Sequence, residues 1–141
     1  MIKEFSSGAV VFIVSSNNKV LYLLLKNDQA NYWDFPKGKV EANETKEQTA
    51  EREIHEESGL KVTLLDGFSD IIKYSFTNKA GQQVSKEVTF FLAQAFDDKV
   101  TISHEHGDYT WLPFKEAYQK ITYTNSRKVL ERANQVLLHI I

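Results

Sequence analysis

Between Gly38 and Leu60 the chain reads GKVEANETKEQTAEREIHEESGL, and its spacing constrains the fold more than any other stretch. Thr45 with Gln48 three residues on forms a capping box, Ala50 and Ile54 supply an apolar line at helical spacing, and Gly59 stands where a helix stops. The pattern predicts one helix over residues 45–58. On that helix Glu53, Glu56 and Glu57 stand at i, i+3 and i+4, which gathers three carboxylates on one face within a turn. Like charges so close raise one another's proton affinity unless a cation neutralises them. Hard oxygen donors at this density suit Mg²⁺ or Mn²⁺, which keep several waters and bridge to substrate phosphates. Arg52, four residues before Glu56, is placed to orient it through a forked hydrogen bond. A solvated, Glu-rich surface helix is the plainer alternative for such a run.

The flanking segments supply a sheet. Residues 5–14 and 20–26 are apolar on both alternating faces, the pattern of strands covered on two sides, and the polar stretch between them reads as a hairpin turn. The aromatic loop Asn31-Tyr32-Trp33-Asp34-Phe35-Pro36 leads to Lys37, whose ammonium beside the acidic face can offset charge on a phosphate oxygen; Trp33 reads as core. After the helix, residues 61–65 and 67–76 read as two strands, and residues 86–96 as a central one. Residues 103–108 form a polar loop in which Glu105 is a candidate metal ligand or base. His104 and His106 lack a third nitrogen or sulfur ligand at zinc spacing. His55 and His139 read as surface residues. Pro113 suits the first turn of a short helix, and apolar residues from Val129 to Ile140 recur at helical spacing, predicting a last helix from about residue 125 packed on the sheet.

Strands separated by a helix and by hairpins predict an α/β (α+β) chain with a central mixed sheet. The 141 residues, 42% apolar and 12% aromatic, are enough for one domain with a substantial core. The absence of cysteine points to a reducing compartment. The chain opens without a basic region followed by an apolar core, and no apolar run reaches the length of a membrane span. A cytoplasmic protein with no membrane partner is expected. A net charge of −2 argues against broad adhesion to nucleic acid, so phosphate recognition has to be local.

A Gly, then Glu44, Arg52-Glu53, Glu56-Glu57 and Gly59 at these intervals resemble the Nudix box, the signature of hydrolases that cut nucleoside diphosphates linked to another group. Every specified position is filled. At background usage of roughly 5 to 7% per residue type, such a coincidence has odds on the order of one in a billion. The resemblance implies an αβα sandwich over residues 1–141. It extends beyond the box to the asymmetrically acting diadenosine tetraphosphate hydrolases, through Ser7-Gly8-Ala9, Trp33-Asp34-Phe35-Pro36-Lys37-Gly38, Gly67-Phe68 with Tyr74, Lys86 with Phe91-Leu92-Ala93, Ser103-His104-Glu105-His106 and Trp111-Leu112.

That likeness implies cleavage of a dinucleotide to ATP and AMP with Mg²⁺. Glu53, Glu56, Glu57, Glu105 and Gly38 would form the metal site, Lys37 and Lys86 would hold phosphate, and Tyr74 and Tyr123 would stack an adenine. The expected mechanism is metal-assisted attack of water on phosphorus, with Arg52 in support and Glu56, Glu57 or Glu105 taking the proton. Tyr32 stands where a histidine often precedes the tryptophan, and Lys39 replaces a histidine often found after Gly38. The partner expected is a small nucleotide, and the protein itself a monomer or small homo-oligomer. Other substrates within the same family, a nucleoside triphosphate or an RNA 5′ end, remain alternatives. A non-catalytic nucleotide-binding module is a further one, and the loss of a box carboxylate that would mark it is absent.

Overall fold

A computed structural model describes residues 1–103 and 106–140. His104 and Glu105 therefore lie outside the described residues, and with them the proposed role of Glu105. The strands are β1 (Ile2–Val14), β2 (Val20–Asn27), β3 (Trp33–Asp34), β4 (Lys37–Lys39), β5 (Val62–Thr77), β6 (Gln83–Ala95) and β7 (His106–Leu112). The helices are α1 (Lys46–Ser58), α2 (Phe114–Lys120) and α3 (Thr124–Ile140).

The strands form one mixed sheet in the order β3-β2-β1-β6-β5, with β4 added to β1 and β7 to β2. Every strand pairing is antiparallel except β1 with β6, which runs parallel from Ile2↔Val84 to Phe12↔Gln94. The two-sided apolar pattern of β1 and β2 has its reason in two separate cores. Val10, Phe12, Tyr22 and Leu24 face Ala117 of α2 and Val129, Leu130, Ala133 and Leu137 of α3. Their alternates Ala9, Val11, Leu23 and Leu25 face Ile54 of α1 and Leu60. A mixed sheet is thus covered on both sides by helices. Full burial of each large apolar side chain contributes roughly 1.5 to 3 kcal/mol, so both faces hold α1 and α3 firmly.

Several boundaries differ from the sequence reading: β1 begins at Ile2, β6 spans Gln83–Ala95, and the stretch read as an aromatic loop carries the short strands β3 and β4. Residues 61–65 and 67–76 belong to the single strand β5, interrupted by a register shift between Leu64 and Ser69. Asp66-Gly67 carries a turn signal locally, but continuous pairing with β6 on either side absorbs it as an irregularity within one strand. Strand β7 begins at His106, inside the stretch read as loop, because Asn27 and Lys26 of β2 pair with His106 and Asp108. Pro113 is the N-cap of α2 rather than part of its first turn. His55 and His139 are exposed, as expected. Trp33 is half-buried, packs against the core beside α3 and carries the Lys120 ammonium 4.4 Å above its ring. Among the described residues, no helix is long and apolar enough to cross a membrane.

Candidate active site

The capping box forms as the sequence predicts: the Gln48 amide donates to Thr45 Oγ1 at 3.1 Å, and the Thr45 amide donates to Gln48 Oε1 at 2.9 Å. At the other end Gly59 adopts φ 75°, a left-handed conformation that glycine enters without steric cost, and its amide donates to the His55 carbonyl. With both ends set and Ala50 and Ile54 buried, the rotation of α1 is decided, and with it the direction of each glutamate.

Glu53 and Glu57 turn inward while Glu56 stays exposed. Glu57 is only 4% exposed. Burial, reinforced by a hydrogen bond to the neighbouring Glu53 carboxylate and by its charge, holds the Glu57 carboxyl well above the usual carboxylate range. Lys37 and His106 stand nearby; His106 Nε2 lies 3.5 Å from Glu57 Oε1, and Ser103 Oγ lies 3.1 Å from His106 Nδ1. Gly38 explains its own identity here. A Cβ at this position would lie 2.1 Å from Glu53 Cδ, so only glycine lets β4 pass the Glu53 carboxylate at this range.

Arg52 departs from expectation. Its fork is closed not on Glu56 but on Glu44, with Nε at 2.7 Å and Nη2 at 2.9 Å. Nη1 donates to Glu53 at 2.8 Å and reaches exposed Glu56 only at 3.3 Å, while Nη2 also donates to the Lys39 carbonyl at 3.0 Å. Glu44 wins the fork because Thr49 Oγ1 donates to it at 2.6 Å and fixes it in the turn before α1. The Arg52 and Thr49 hydrogen bonds hold the Glu44 carboxyl down at about 2. Among the described residues, no three His, Asp or Glu side chains are gathered as a ready metal cluster.

Next to this acidic face lies a second feature. A cavity of about 480 Å³ is lined by Lys37, Lys86, Tyr32, Tyr74, Tyr123 and the first turn of α3. Tyr74 on β5 is the cross-strand partner of Lys86 on β6, which brings a ring and an ammonium to one place. Tyr123 reaches the same cavity from the end of the loop before α3, and its ring packs against Tyr32 with centroids 5.3 Å apart. Tyr74 and Tyr123 are 39% and 48% exposed, so neither is a core residue. Burial and the neighbouring Lys37 charge lower the proton affinity of Lys86. Lys37 also borders the acidic cleft of about 700 Å³ that contains Gly38, Arg52, Glu53, Glu56 and Glu57. It is the wall between the two spaces.

The sequence reading named Lys37, Lys86, Tyr74 and Tyr123, and the fold brings all four to one cavity. It missed Asp34 as a functional candidate, a 5% exposed carboxylate facing both Lys37 and the aromatic cavity. A charged residue set in an otherwise apolar Trp33-to-Pro36 run was the available signal. Glu44 was read only as a spacing mark, since its pairing with Arg52 spans eight residues.

A bis(5'-nucleosyl)-tetraphosphatase [asymmetrical] from Sus scrofa is 34% identical over 127 residues, covering 86% of this chain and 83% of that protein. An RNA pyrophosphohydrolase from a Nitratiruptor species is 26% identical over 144 residues, covering 92% and 93%. Among solved structures, a C. elegans Ap4A hydrolase in a binary complex superposes with a TM-score of 0.83 at 26% identity over 98% of this chain and 99% of the other. The NUDIX domain family matches residues 5–133, so the acidic helix, its glycines and the sheet around them are those of a NUDIX domain, and the chain belongs to that family.

Proposed function

We infer that this protein hydrolyses a phosphoric anhydride bond of a dinucleoside polyphosphate of the diadenosine tetraphosphate kind, releasing ATP and AMP. One observation carries the reading: a cavity with exposed tyrosines and two lysines opens beside the carboxylate face, with Lys37 common to both. A dinucleotide has a second base to seat away from the bond being cut, and Tyr74 and Tyr123 offer ring faces for it. The asymmetrical tetraphosphatase relative and the Ap4A hydrolase likeness support the same substrate class.

The donor chemistry fits a hard divalent cation. Glu53 and Glu57 crowd together behind Gly38, and Glu57 keeps a proton that a cation would displace. Glu53, Glu56 and Glu57, with the backbone at Gly38, would hold Mg²⁺ or Mn²⁺, which when bound supplies neutralisation of the phosphate oxygens and makes a water more acidic.

The chain's own groups do the rest. Arg52, anchored on Glu44, fixes the orientation of Glu53 and restrains Glu56. Lys37 and Lys86 place their ammonium groups along the phosphate chain, and Glu56 or Glu57 accepts the proton of the attacking water. Glu105 belongs to this proposal as a further acid–base candidate.

A second reading, removal of pyrophosphate from RNA 5′ ends, is favoured by the Nitratiruptor relative that spans nearly the whole chain. RNA would call for a run of unpaired cations. Lys39, Lys46 and Lys73 instead stand 3.9, 3.5 and 3.7 Å from Glu4, Glu87 and Glu87.

Incubation with diadenosine tetraphosphate, nucleoside triphosphates and triphosphorylated RNA in Mg²⁺, followed by identification of products, tests the choice. ATP and AMP in equal amounts from the dinucleotide are expected. Faster release of pyrophosphate from RNA would overturn the dinucleotide reading.

A further inference from the structure

Asp34 is buried, yet it is not part of either apolar core. Its backbone is held in β3 by pairing with Leu25, and its Oδ1 accepts from the Phe35 amide at 2.8 Å. Ser126, itself 1% exposed and in the first turn of α3, adds a side-chain hydrogen bond. The remaining oxygen, Oδ2, lies 3.9 Å from the Lys37 ammonium. The Phe35 amide and Ser126 therefore set the carboxylate of a residue whose backbone is fixed in β3, and the carboxylate faces a lysine.

Lysine has four rotatable bonds and no intrinsic preference for one direction. Lys37, its side chain 22% exposed, would if left to itself spread over the acidic cleft, the aromatic cavity and a small polar pocket of about 190 Å³, since it borders all three. The groups that face it are Asp34, Glu57, Tyr32 and Tyr74, with Lys86 repelling it from across the cavity.

We propose that Asp34 is a positioning residue, holding the Lys37 ammonium at the wall shared by the acidic face and the aromatic cavity so that it meets the phosphate chain running between them. The phosphate half of this statement rests on the function proposed above; the pairing half does not. Because Asp34 also bonds Ser126, three residues after Tyr123, one buried carboxylate ties the phosphate-facing lysine to the element that carries an aromatic wall.

The test compares four proteins: the natural chain, Asp34→Asn, Lys37→Gln and the double variant. Asparagine keeps an acceptor oxygen for the Phe35 amide and replaces the oxygen that faces Lys37 with an uncharged NH2 group, so both the charge and that acceptor are removed. Steady-state hydrolysis of diadenosine tetraphosphate should show kcat/KM falling about tenfold in Lys37→Gln, mostly through KM, and falling in Asp34→Asn in the same manner. The double variant should be no worse than Lys37→Gln, since a residue that acts through Lys37 has nothing left to position. Melting provides the arm that needs no substrate. Lys37→Gln strands a buried carboxylate and should lower the melting temperature, and adding Asp34→Asn should restore part of it.

Multiplying effects on kcat/KM, or a Lys37→Gln melting temperature that Asp34→Asn fails to raise, would overturn the proposal. So would loss of folding in both asparagine proteins, which would make Asp34 a structural residue. If no dinucleotide is cleaved but the melting coupling appears, the pairing stands and only the phosphate assignment falls.

Discussion

Glu57 stands one turn after Glu53 on α1 and is buried, and the two carboxyl groups line one cleft with Gly38. Burial, with the Glu53 carboxylate beside it, holds the Glu57 carboxyl well above the usual carboxylate range, so it is protonated when no cation is present and gives up that proton when one binds.

Glu57→Gln should therefore cost little stability in metal-free protein, because the residue it replaces is already neutral there. Turnover of any accepted substrate should fall by roughly 10² to 10⁴. Thermal melting with and without millimolar Mg²⁺ or Mn²⁺ gives the second check. The natural chain should gain stability from the cation and the variant should gain much less. Full turnover in the variant would remove Glu57 from the chemistry.

Gly38→Ala brings a methyl group to 2.1 Å from Glu53 Cδ. The obstructed atoms are the far end of a flexible side chain, so Glu53 leaves its Arg52 hydrogen bond and swings away while the fold survives. A drop in activity of about 10²-fold with a nearly unchanged melting temperature is the expected result, on the scale of losing one charge-stabilising group. An equally active variant would show that the Glu53 position is not required.

Acid stability should report on the Glu44–Arg52 fork. The Glu44 carboxyl is held down from 4.5 to about 2 in the folded chain by Arg52 and Thr49. Its contribution is present above the unfolded value near 4.5 and is lost as pH falls toward 2. Glu44→Gln should thus flatten the acid limb of the stability curve across that window and leave the neutral-to-basic limb parallel to the natural one. An unchanged acid limb in denaturant titrations would contradict the fork.

Tyr74→Ala and Tyr123→Ala separate substrates. Both residues are partly exposed and lie outside the two apolar cores, so their removal should leave melting nearly unchanged. Stacking of a base on an aromatic ring contributes roughly 1 to 3 kcal/mol, which corresponds to about five- to a hundredfold in binding. Cleavage of diadenosine tetraphosphate should weaken by that factor while a small nucleotide pyrophosphate is spared. Equal losses on both would leave a NUDIX hydrolase of different specificity.

What the sequence by itself determined lies close along the chain. The capping box, the apolar line and Gly59 define α1 from within, and i, i+3, i+4 spacing puts Glu53, Glu56 and Glu57 within about one turn of one helix, since a helix is built from contacts four residues apart. The doubly apolar runs of β1 and β2 likewise announced a sheet covered on both faces. Spacing could not say which glutamate is buried. That depends on how β4 and residues 101–103 close over α1, where the Ser103 amide donates to the Glu57 carbonyl. Nor could it direct the fork of Arg52, because Glu44 and Glu56 are both in reach and only the Thr49 hydrogen bond decides between them. The joining of Tyr74 with Lys86, of Tyr32 with Tyr123, and of Asp34 with Ser126 is tertiary throughout. Each pair depends on strand register or on where α3 lands against the sheet, and those are set by two buried cores rather than by any local preference.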